Sequence, residues 1–193
     1  MEFMKVSSDG WNFEEEGTGK RMVPFGANFF FPYSKDGKNK KSLMIMTSPE
    51  WDCEEIRKAF HVAAECRMNI MKVFFPLPAL LPDPQPGPGA VLNPDLVPSY
   101  PERLAFLFQV ARETGVYISL SLAEWGMGGA KWFHDGGEFF GNPEGDGVDS
   151  FAILRDFWRQ TAEMLKDEPA LFSYNLAVEP KFPPKIIPTK PAH

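Results

Sequence analysis

The sequence predicts an α/β fold in which helices cover a parallel β-sheet. Apolar runs of seven to nine residues, typical of buried strands, alternate with segments whose apolar residues recur at three- and four-residue steps, as in amphipathic helices. Strict alternation of this kind implies right-handed crossovers between parallel strands. With 44% hydrophobic residues, the 193-residue chain has enough apolar surface to bury a core.

The first residues predict a small antiparallel ribbon that precedes the parallel sheet. Residues 3–6 and 11–13 are short β-like segments joined by the turn Ser8-Asp9-Gly10, and a second turn lies around Gly17-Thr18-Gly19. We expect this ribbon to lie across the amino ends of the strands.

Four apolar runs are predicted as the strands of the sheet. They cover residues 23–31, 69–75, 116–122 and 171–178. Two long loops interrupt the alternation: eight prolines fall between positions 76 and 98, and eight glycines fall between positions 126 and 147. Long loops in compact domains are usually either functional or disordered.

Three amphipathic helices are predicted between the strands. The first begins at a hydroxyl cap, Thr47 or Ser48, and runs to about residue 67. The second covers residues 101–114 and is closed by Gly115, and the third covers about residues 150–167.

Charge and composition exclude several classes of partner. The net charge of −6 comes without a basic cluster, which argues against nucleic acid. No apolar stretch approaches the roughly 20 residues that cross a bilayer, and no signal peptide is visible, so we expect no membrane partner and leave secreted and cytoplasmic locations open. The histidines, His61, His134 and His193, lack metal-ligand spacing. We expect no metal and no cofactor.

The alternation fits either an open doubly wound sheet or a closed eight-stranded barrel. An open nucleotide-binding sheet has a phosphate loop after its first strand, and residues 26–31 contain none. Gly17-Thr18-Gly19-Lys20 imitates the end of such a loop, but Glu14 stands where the first glycine belongs. The barrel is preferred, and an open-sheet enzyme that binds a small ligand is kept as a further alternative.

Four stretches, in order, resemble the amino-terminal half of a glycoside hydrolase family 5 barrel, of the cellulase and mannanase group. Residues 25–28, 69–73 and 115–122 resemble its first three strands, and residues 157–180, which end in Glu179-Pro180, resemble the next helix and strand. The resemblance implies a partial glycosidase-like domain over residues 1–180: a parallel (β/α) barrel of about four βα units of an eight-stranded TIM barrel, with an amino-terminal β-ribbon. Residues 181–193 are an irregular proline-rich tail.

The resemblance also implies an activity, hydrolysis of O-glycosidic bonds in β-linked poly- or oligosaccharides by a retaining mechanism. Glu179 matches the acid/base glutamate of the family. Val178 stands where the family has asparagine, and Lys72 stands where arginine is usual, which keeps the charge but loses the bidentate fork. The family's nucleophile comes from the seventh strand, beyond the four that are predicted.

Ligands of parallel α/β folds gather at the carboxyl ends of the strands, where Asn28, Glu124 and Glu179 are expected. Glu179 is the expected catalytic residue. The expected substrate-binding residues are Asn28 and Glu124 by this position, Lys72 by the resemblance, and Trp125 and Trp132 as aromatic residues of the glycine-rich loop. Glu124 either faces Glu179 as a second carboxylate or, in the preferred interpretation, is a loop acid that binds a sugar hydroxyl or orders Trp125. The two tryptophans either stack on sugar rings or pack as a lid.

The prolines of the tail predict that the barrel pattern stops after the fourth strand, so the sequence is expected to hold half of a barrel. The first and fourth strands then present open edges, which are expected to aggregate or to form a homodimer. A carbohydrate is the expected ligand. The alternative to an incomplete glycosidase is a non-catalytic carbohydrate-binding or scaffold protein derived from the same barrel.

Overall fold

The computed structural model of the protein describes residues 1–29, 51–76, 80, 95–123 and 150–178. A three-stranded antiparallel sheet comes first, with the order β1 (Met4–Val6), β2 (Phe13–Glu15), β3 (Arg21–Met22). A four-stranded parallel sheet follows, with the order β4 (Gly26–Phe29), β5 (Ile70–Pro76), β6 (Tyr117–Ala123), β7 (Leu171–Val178). The helices are α1 (Cys53–Glu65), α2 (Ser99–Thr114) and α3 (Ser150–Leu165).

The four parallel strands are hydrogen-bonded in chain order, which confirms the predicted parallel sheet. Each strand is followed in the chain by a helix before the next strand begins, as a partial α/β barrel requires. The observed β4 is shorter than the predicted run at its amino end, because Val23 to Phe25 instead form the connection from β3.

Asn69 fixes that connection beside β5. Its amide nitrogen donates to the Val23 carbonyl at 2.9 Å, and its amide oxygen accepts from the Phe25 backbone N–H at 2.8 Å. The next residue of the chain, Gly26, lies so close to β5 that a Cβ atom there would come within 1.8 Å of the Ile70 carbonyl oxygen. A residue without a side chain is therefore required for β4 to pair with β5.

Helix α1 begins later than the sequence predicted. Its N-cap is Asp52, whose carboxylate accepts from the backbone N–H groups of Glu54 and Glu55 at 3.0 and 3.2 Å. The start expected at Thr47 or Ser48 was wrong because Asp52 is also a good capping residue and, being nearest the periodic segment, satisfies the first amides. Thr47 and Ser48 themselves lie outside the described residues.

Helix α2 ends as predicted at Gly115, whose φ of 72° is left-handed and costs little only for a residue without a Cβ. Its start lies at Ser99, two residues before the predicted one. The first turn of this helix carries Tyr100, which points into the core.

The hydrophobic core lies between the helices and one face of the parallel sheet. Alternate strand residues face it, and these are fully or almost fully buried with the apolar faces of α1, α2 and α3: Val73, Phe75, Ile118, Leu120, Leu122, Phe60, Leu104, Phe108 and Phe157. Tyr100 packs edge-on against Phe75, and its hydroxyl lies 3.0 Å from the Thr161 hydroxyl. Burial raises the pKa of the Tyr100 phenol far above its usual value.

The antiparallel sheet contacts the amino ends of β6 and β7. Tyr117, the first residue of β6, donates its hydroxyl to the Glu2 carbonyl at 2.9 Å. The ring of Phe13 in β2 packs edge-on against Phe172, the second residue of β7, with centroids 4.9 Å apart. These contacts leave the carboxyl ends of β6 and β7 at the opposite end of the sheet.

Candidate functional site

The carboxyl ends of β5, β6 and β7 lie side by side. Pro76 pairs with Ala123, and Ala123 pairs with Val178, so the last residues of the three strands form one row. In the sequence, Glu124 directly follows Ala123 and Glu179 directly follows Val178. The residues that precede the two glutamates are therefore opposite each other on adjacent strands, which run about 4.8 Å apart in a sheet.

Four of the predicted site residues, Glu124, Trp125, Trp132 and Glu179, lie outside the described residues. The other two, Asn28 and Lys72, are described and pair with each other. Asn28 of β4 lies directly opposite Lys72 of β5. The sheet thus brings together the two predicted substrate-binding residues that the structure describes, although they are 44 residues apart in the chain.

Lys72 and Asn28 lie on the face of the sheet that points away from the helices. Their neighbours Val73 and Phe29 are buried in the core, and side chains alternate between faces along a strand. The Lys72 ammonium lies 5.1 Å from the centroid of the Phe74 ring, two residues further along β5. A cation over an aromatic face is attracted to it, so Phe74 restricts where the lysine amine can lie.

The row that contains Asn28 and Lys72 continues across the sheet as Ser119 and Ser173. The two serine hydroxyl oxygens are 2.9 Å apart and hydrogen-bonded. Together the four residues form a polar row, Asn28-Lys72-Ser119-Ser173, that crosses all four parallel strands. Hydroxyl, amide and ammonium groups in one row supply both donors and acceptors to a polar ligand.

A second polar position lies one step nearer the carboxyl edge. Ser121 of β6 pairs with Phe74 on one side and with Asn175 on the other. Its hydroxyl is fully buried and has no hydrogen-bond partner among the described residues. Ser119, Ser121 and Ser173 are not among the site residues predicted from the sequence, although the alternation of serine with large apolar residues in β6 indicates the first two.

The charge of the polar row is positive and comes from Lys72. Among the described strand residues of this face, Lys72 is the charged one, and the residues that pair with it on the neighbouring strands are neutral.

The described part of the chain holds no group of three or more histidine, cysteine, aspartate or glutamate side chains arranged to bind a metal ion. Within the same residues, no helix has the length and apolar character needed to cross a membrane.

Comparison of the sequence finds no matching protein-family model and no curated protein that is similar to it. Comparison of the structure finds similar solved proteins. An exo-β-1,4-mannosidase from Opitutaceae bacterium strain TAV5 has a TM-score of 0.65 and 21% identity, over 91% of this chain and 28% of that one. A β-1,4-mannanase from Cryptopygus antarcticus has a TM-score of 0.59 and 16% identity, over 93% of this chain and 45% of the mannanase.

A third similar structure is a glycoside hydrolase family 5 protein from Bifidobacterium longum, in complex with Manβ1-4GlcNAc. Its TM-score is 0.53 and its identity 16%, over 81% of this chain and 33% of that protein. These structures support a fold like that of glycoside hydrolase family 5, as the sequence motifs predicted. The chain spans less than half the length of each of these three neighbours.

Proposed function

We propose that the chain supplies the acid/base half of a retaining glycosidase that acts on β-linked poly- or oligosaccharides, with Glu179 as general acid/base. The pairing of Ala123 with Val178 is the observation that supports this most directly. Val178, the residue directly before Glu179 in the sequence, lies at the carboxyl edge of the sheet, where α/β barrels bind and transform their ligands.

In the proposed reaction, Glu179 protonates the glycosidic oxygen while a carboxylate nucleophile attacks the anomeric carbon and the bond to the leaving sugar breaks. Glu179 then removes a proton from the water that releases the sugar from the nucleophile. Retention requires the two carboxyl groups to lie about 5 to 5.5 Å apart. We assign the nucleophile to a segment outside this sequence. Glu124 is proposed to bind a substrate hydroxyl and not to act as the nucleophile.

The polar row is proposed to hold the sugar below the scissile bond. The Lys72 ammonium offers three donors and the Asn28 amide offers two donors and an acceptor, a combination that suits vicinal sugar hydroxyls. The Phe74 ring lies beside the lysine ammonium, which reduces the entropy lost when the amine engages a ligand. Trp125 and Trp132 are proposed to stack on the apolar faces of the sugar rings.

The substrate class proposed is a β-1,4-linked mannan or glucan. The support comes from the structural neighbours, of which the first two are named for the β-1,4-mannosidic bond. The Lys72 position gives a point charge rather than a bidentate fork, which favours a hydroxyl-rich neutral sugar over a planar carboxylate.

A second candidate, a non-catalytic carbohydrate-binding protein, is favoured by one observation. Val178, directly before Glu179, is apolar, so it supplies no side-chain hydrogen bond to a sugar hydroxyl beside the proposed acid. Under this alternative the polar row and the tryptophans bind an oligosaccharide and Glu179 is dispensable.

Both candidates are tested by titrating the chain with mannotetraose and cellotetraose in a calorimeter, with the α-linked maltotetraose as control ligand. We expect the β-linked sugars to bind and the α-linked sugar not to. Lys72→Met should weaken binding about 10-fold or more, because hydrogen bonds to charged groups contribute about 1.5 to 3 kcal/mol. Lys58→Met, at an exposed position on α1, is the matched control and should bind as the wild type does.

Equal binding of the α- and β-linked sugars, or an unchanged affinity in Lys72→Met, would contradict the proposed site. The Glu179→Gln variant distinguishes the two candidate functions. Loss of turnover in a complete enzyme supports the glycosidase, whereas binding that is independent of Glu179 in a protein that never hydrolyses supports the binding protein.

A further inference from the structure

Near the carboxyl edge of the sheet, β7 holds one residue more than its neighbour β6. Ser121 of β6 pairs with Asn175 of β7. Two residues further along β6, Ala123 pairs with Val178, which is three residues further along β7. The register between the strands therefore shifts, and β7 forms a β-bulge at positions 176–177. Bulges are rare in parallel pairs and common beside active sites, where they bend the strand and change the direction of the residues that follow.

The bulge decides which residue of the chain comes after the edge pair, Ala123 with Val178. In a strand pair without the bulge, Ala177 would lie opposite Ala123, and Val178 would be the next residue of the chain. With the extra residue, Val178 takes the position opposite Ala123, and Glu179 is next in the sequence. The bulge therefore exchanges an apolar residue for a carboxylate as the residue that follows the edge pair.

The indole of Trp158, on α3, is bonded to this bulge. Its N–H donates to the Leu176 carbonyl at 3.2 Å, and Leu176 is one of the two residues of the bulge. Two rings pack edge-on against the indole: that of Phe157, which is fully buried, at a centroid distance of 5.1 Å, and that of Tyr174 in β7, at 5.4 Å. The indole is therefore anchored to the core on one side and to the bulged strand on the other.

We propose that Trp158 is a positioning residue of the candidate site: its indole holds the bulge of β7, and with it the register in which Glu179 is the next residue after the edge pair. Because α3 covers the face of the sheet opposite the polar row, Trp158 acts through β7 and not by contact with a ligand on that row. The consequence for ligand binding rests on the proposed function, whereas the bond between the indole and the bulge does not.

Carbon-13 shifts of the backbone carbonyls, recorded by NMR on the 193-residue chain, test the bond to the bulge. Trp158→Phe keeps an aromatic ring but removes the N–H donor, so the Leu176 carbonyl shift should change while that of Lys72 in β5 stays as in the wild type. Trp51→Phe is the matched control, because it removes an indole N–H that donates to the Cys53 sulfur at 3.2 Å, and it should leave the Leu176 shift unchanged. An unchanged Leu176 shift in Trp158→Phe, or changes spread over β5 and β6, would overturn the proposal.

Calorimetric titration with mannotetraose tests the consequence for the site. Trp158→Phe should lower the affinity about 5-fold, the loss of one neutral hydrogen bond to the sugar, and Trp51→Phe should leave it unchanged. In a chain that already carries Glu179→Ala, Trp158→Phe should have no further effect, because the tryptophan acts through the segment that contains Glu179.

Two results of the titration would overturn the positioning role: an unchanged affinity in Trp158→Phe, or an equal loss with and without Glu179→Ala, which a purely structural role would give. A wild-type chain that binds no mannotetraose would overturn the proposed function and the role of Trp158 in it. The carbonyl shifts would still decide whether the indole holds the bulge.

Discussion

The hydroxyl groups of Ser119 and Ser173 lie 2.9 Å apart and join β6 to β7 on the face of the sheet opposite the helices. We predict that Ser119→Ala destabilises the protein by about 1 kcal/mol, because it removes this bond and leaves the Ser173 hydroxyl without its partner. The change in the free energy of unfolding is measured by urea denaturation.

Ser121→Ala is the matched comparison, two residues along the same strand. Its hydroxyl is fully buried without a partner among the described residues, so its removal should be neutral or stabilising. A loss of about 1 kcal/mol in Ser121→Ala, equal to that in Ser119→Ala, would show that the Ser121 hydroxyl is hydrogen-bonded in solution.

The close approach of β4 to β5 predicts a large effect for Gly26→Ala. The added Cβ atom would meet the Ile70 carbonyl oxygen at 1.8 Å, and backbone atoms on both strands must move to relieve it. We expect a loss of about 3 kcal/mol or more in the free energy of unfolding, at the upper end of what overpacking costs.

Gly17→Ala controls for the removal of a glycine. The Cβ atom there would meet the carboxylate of Glu2 at 2.7 Å, and that side chain can rotate away. We expect a change within about 0.5 kcal/mol. Thermal unfolding of the two variants gives the comparison, and equal melting temperatures would contradict the pairing of Gly26 with Ile70.

Burial of Tyr100 predicts a pH dependence of stability at alkaline pH. Because burial raises the pKa of its phenol in the folded state, the folded protein holds the phenolic proton where the unfolded chain releases it. The stabilisation is complete below the unfolded pKa of about 10 and is lost as the pH rises above it, at about 1.4 kcal/mol per pH unit.

Tyr100→Phe removes this contribution. Its free energy of unfolding should fall less steeply than that of the wild type between pH 10 and pH 12. Burial also raises the pKa values of Tyr117 and Tyr174, so a shallower decline persists in the variant. Urea denaturation at several pH values measures both slopes, and parallel declines would contradict the buried, protonated phenol.

The strands and their direction were predictable from the sequence because each is a long apolar run between turn signals. The 171–178 run coincides with β7, and the strict alternation with helices predicted the parallel order. The start of α1 was not predictable, since Asp52 competes with Thr47 and Ser48 and only the helix geometry selects among capping residues.

The candidate site was predictable in part. Asn28 and Lys72 each lie in a predicted strand, but their pairing depends on the register between β4 and β5, which the close approach of Gly26 to Ile70 helps to set. Ser119 and Ser173 look like ordinary strand residues in the sequence, because small polar side chains are common on one face of a strand. Their hydrogen bond becomes visible only when the two strands are side by side.

The largest effect on catalysis is expected from Glu179→Gln. The chain alone is expected to show no appreciable hydrolysis of β-glucan or β-mannan, because its nucleophile is assigned to a segment outside the sequence. In a complete enzyme that supplies this nucleophile, Glu179→Gln should lower kcat by a factor of about 100 to 10,000, the range for loss of a general acid/base. Unchanged kcat on a glycoside with a poor leaving group would remove Glu179 from the mechanism.

The helix-free face and the carboxyl edge of the parallel sheet are proposed to bind a β-linked oligosaccharide. Backbone amide shifts of the isotope-labelled chain, recorded by NMR during titration with mannotetraose, test this binding. We expect saturable shifts at Lys72, Ser119 and Ser173 and at the carboxyl ends of β6 and β7, with α1 unaffected. Shifts confined to the helices or to the antiparallel sheet, or no shifts at all, would contradict it.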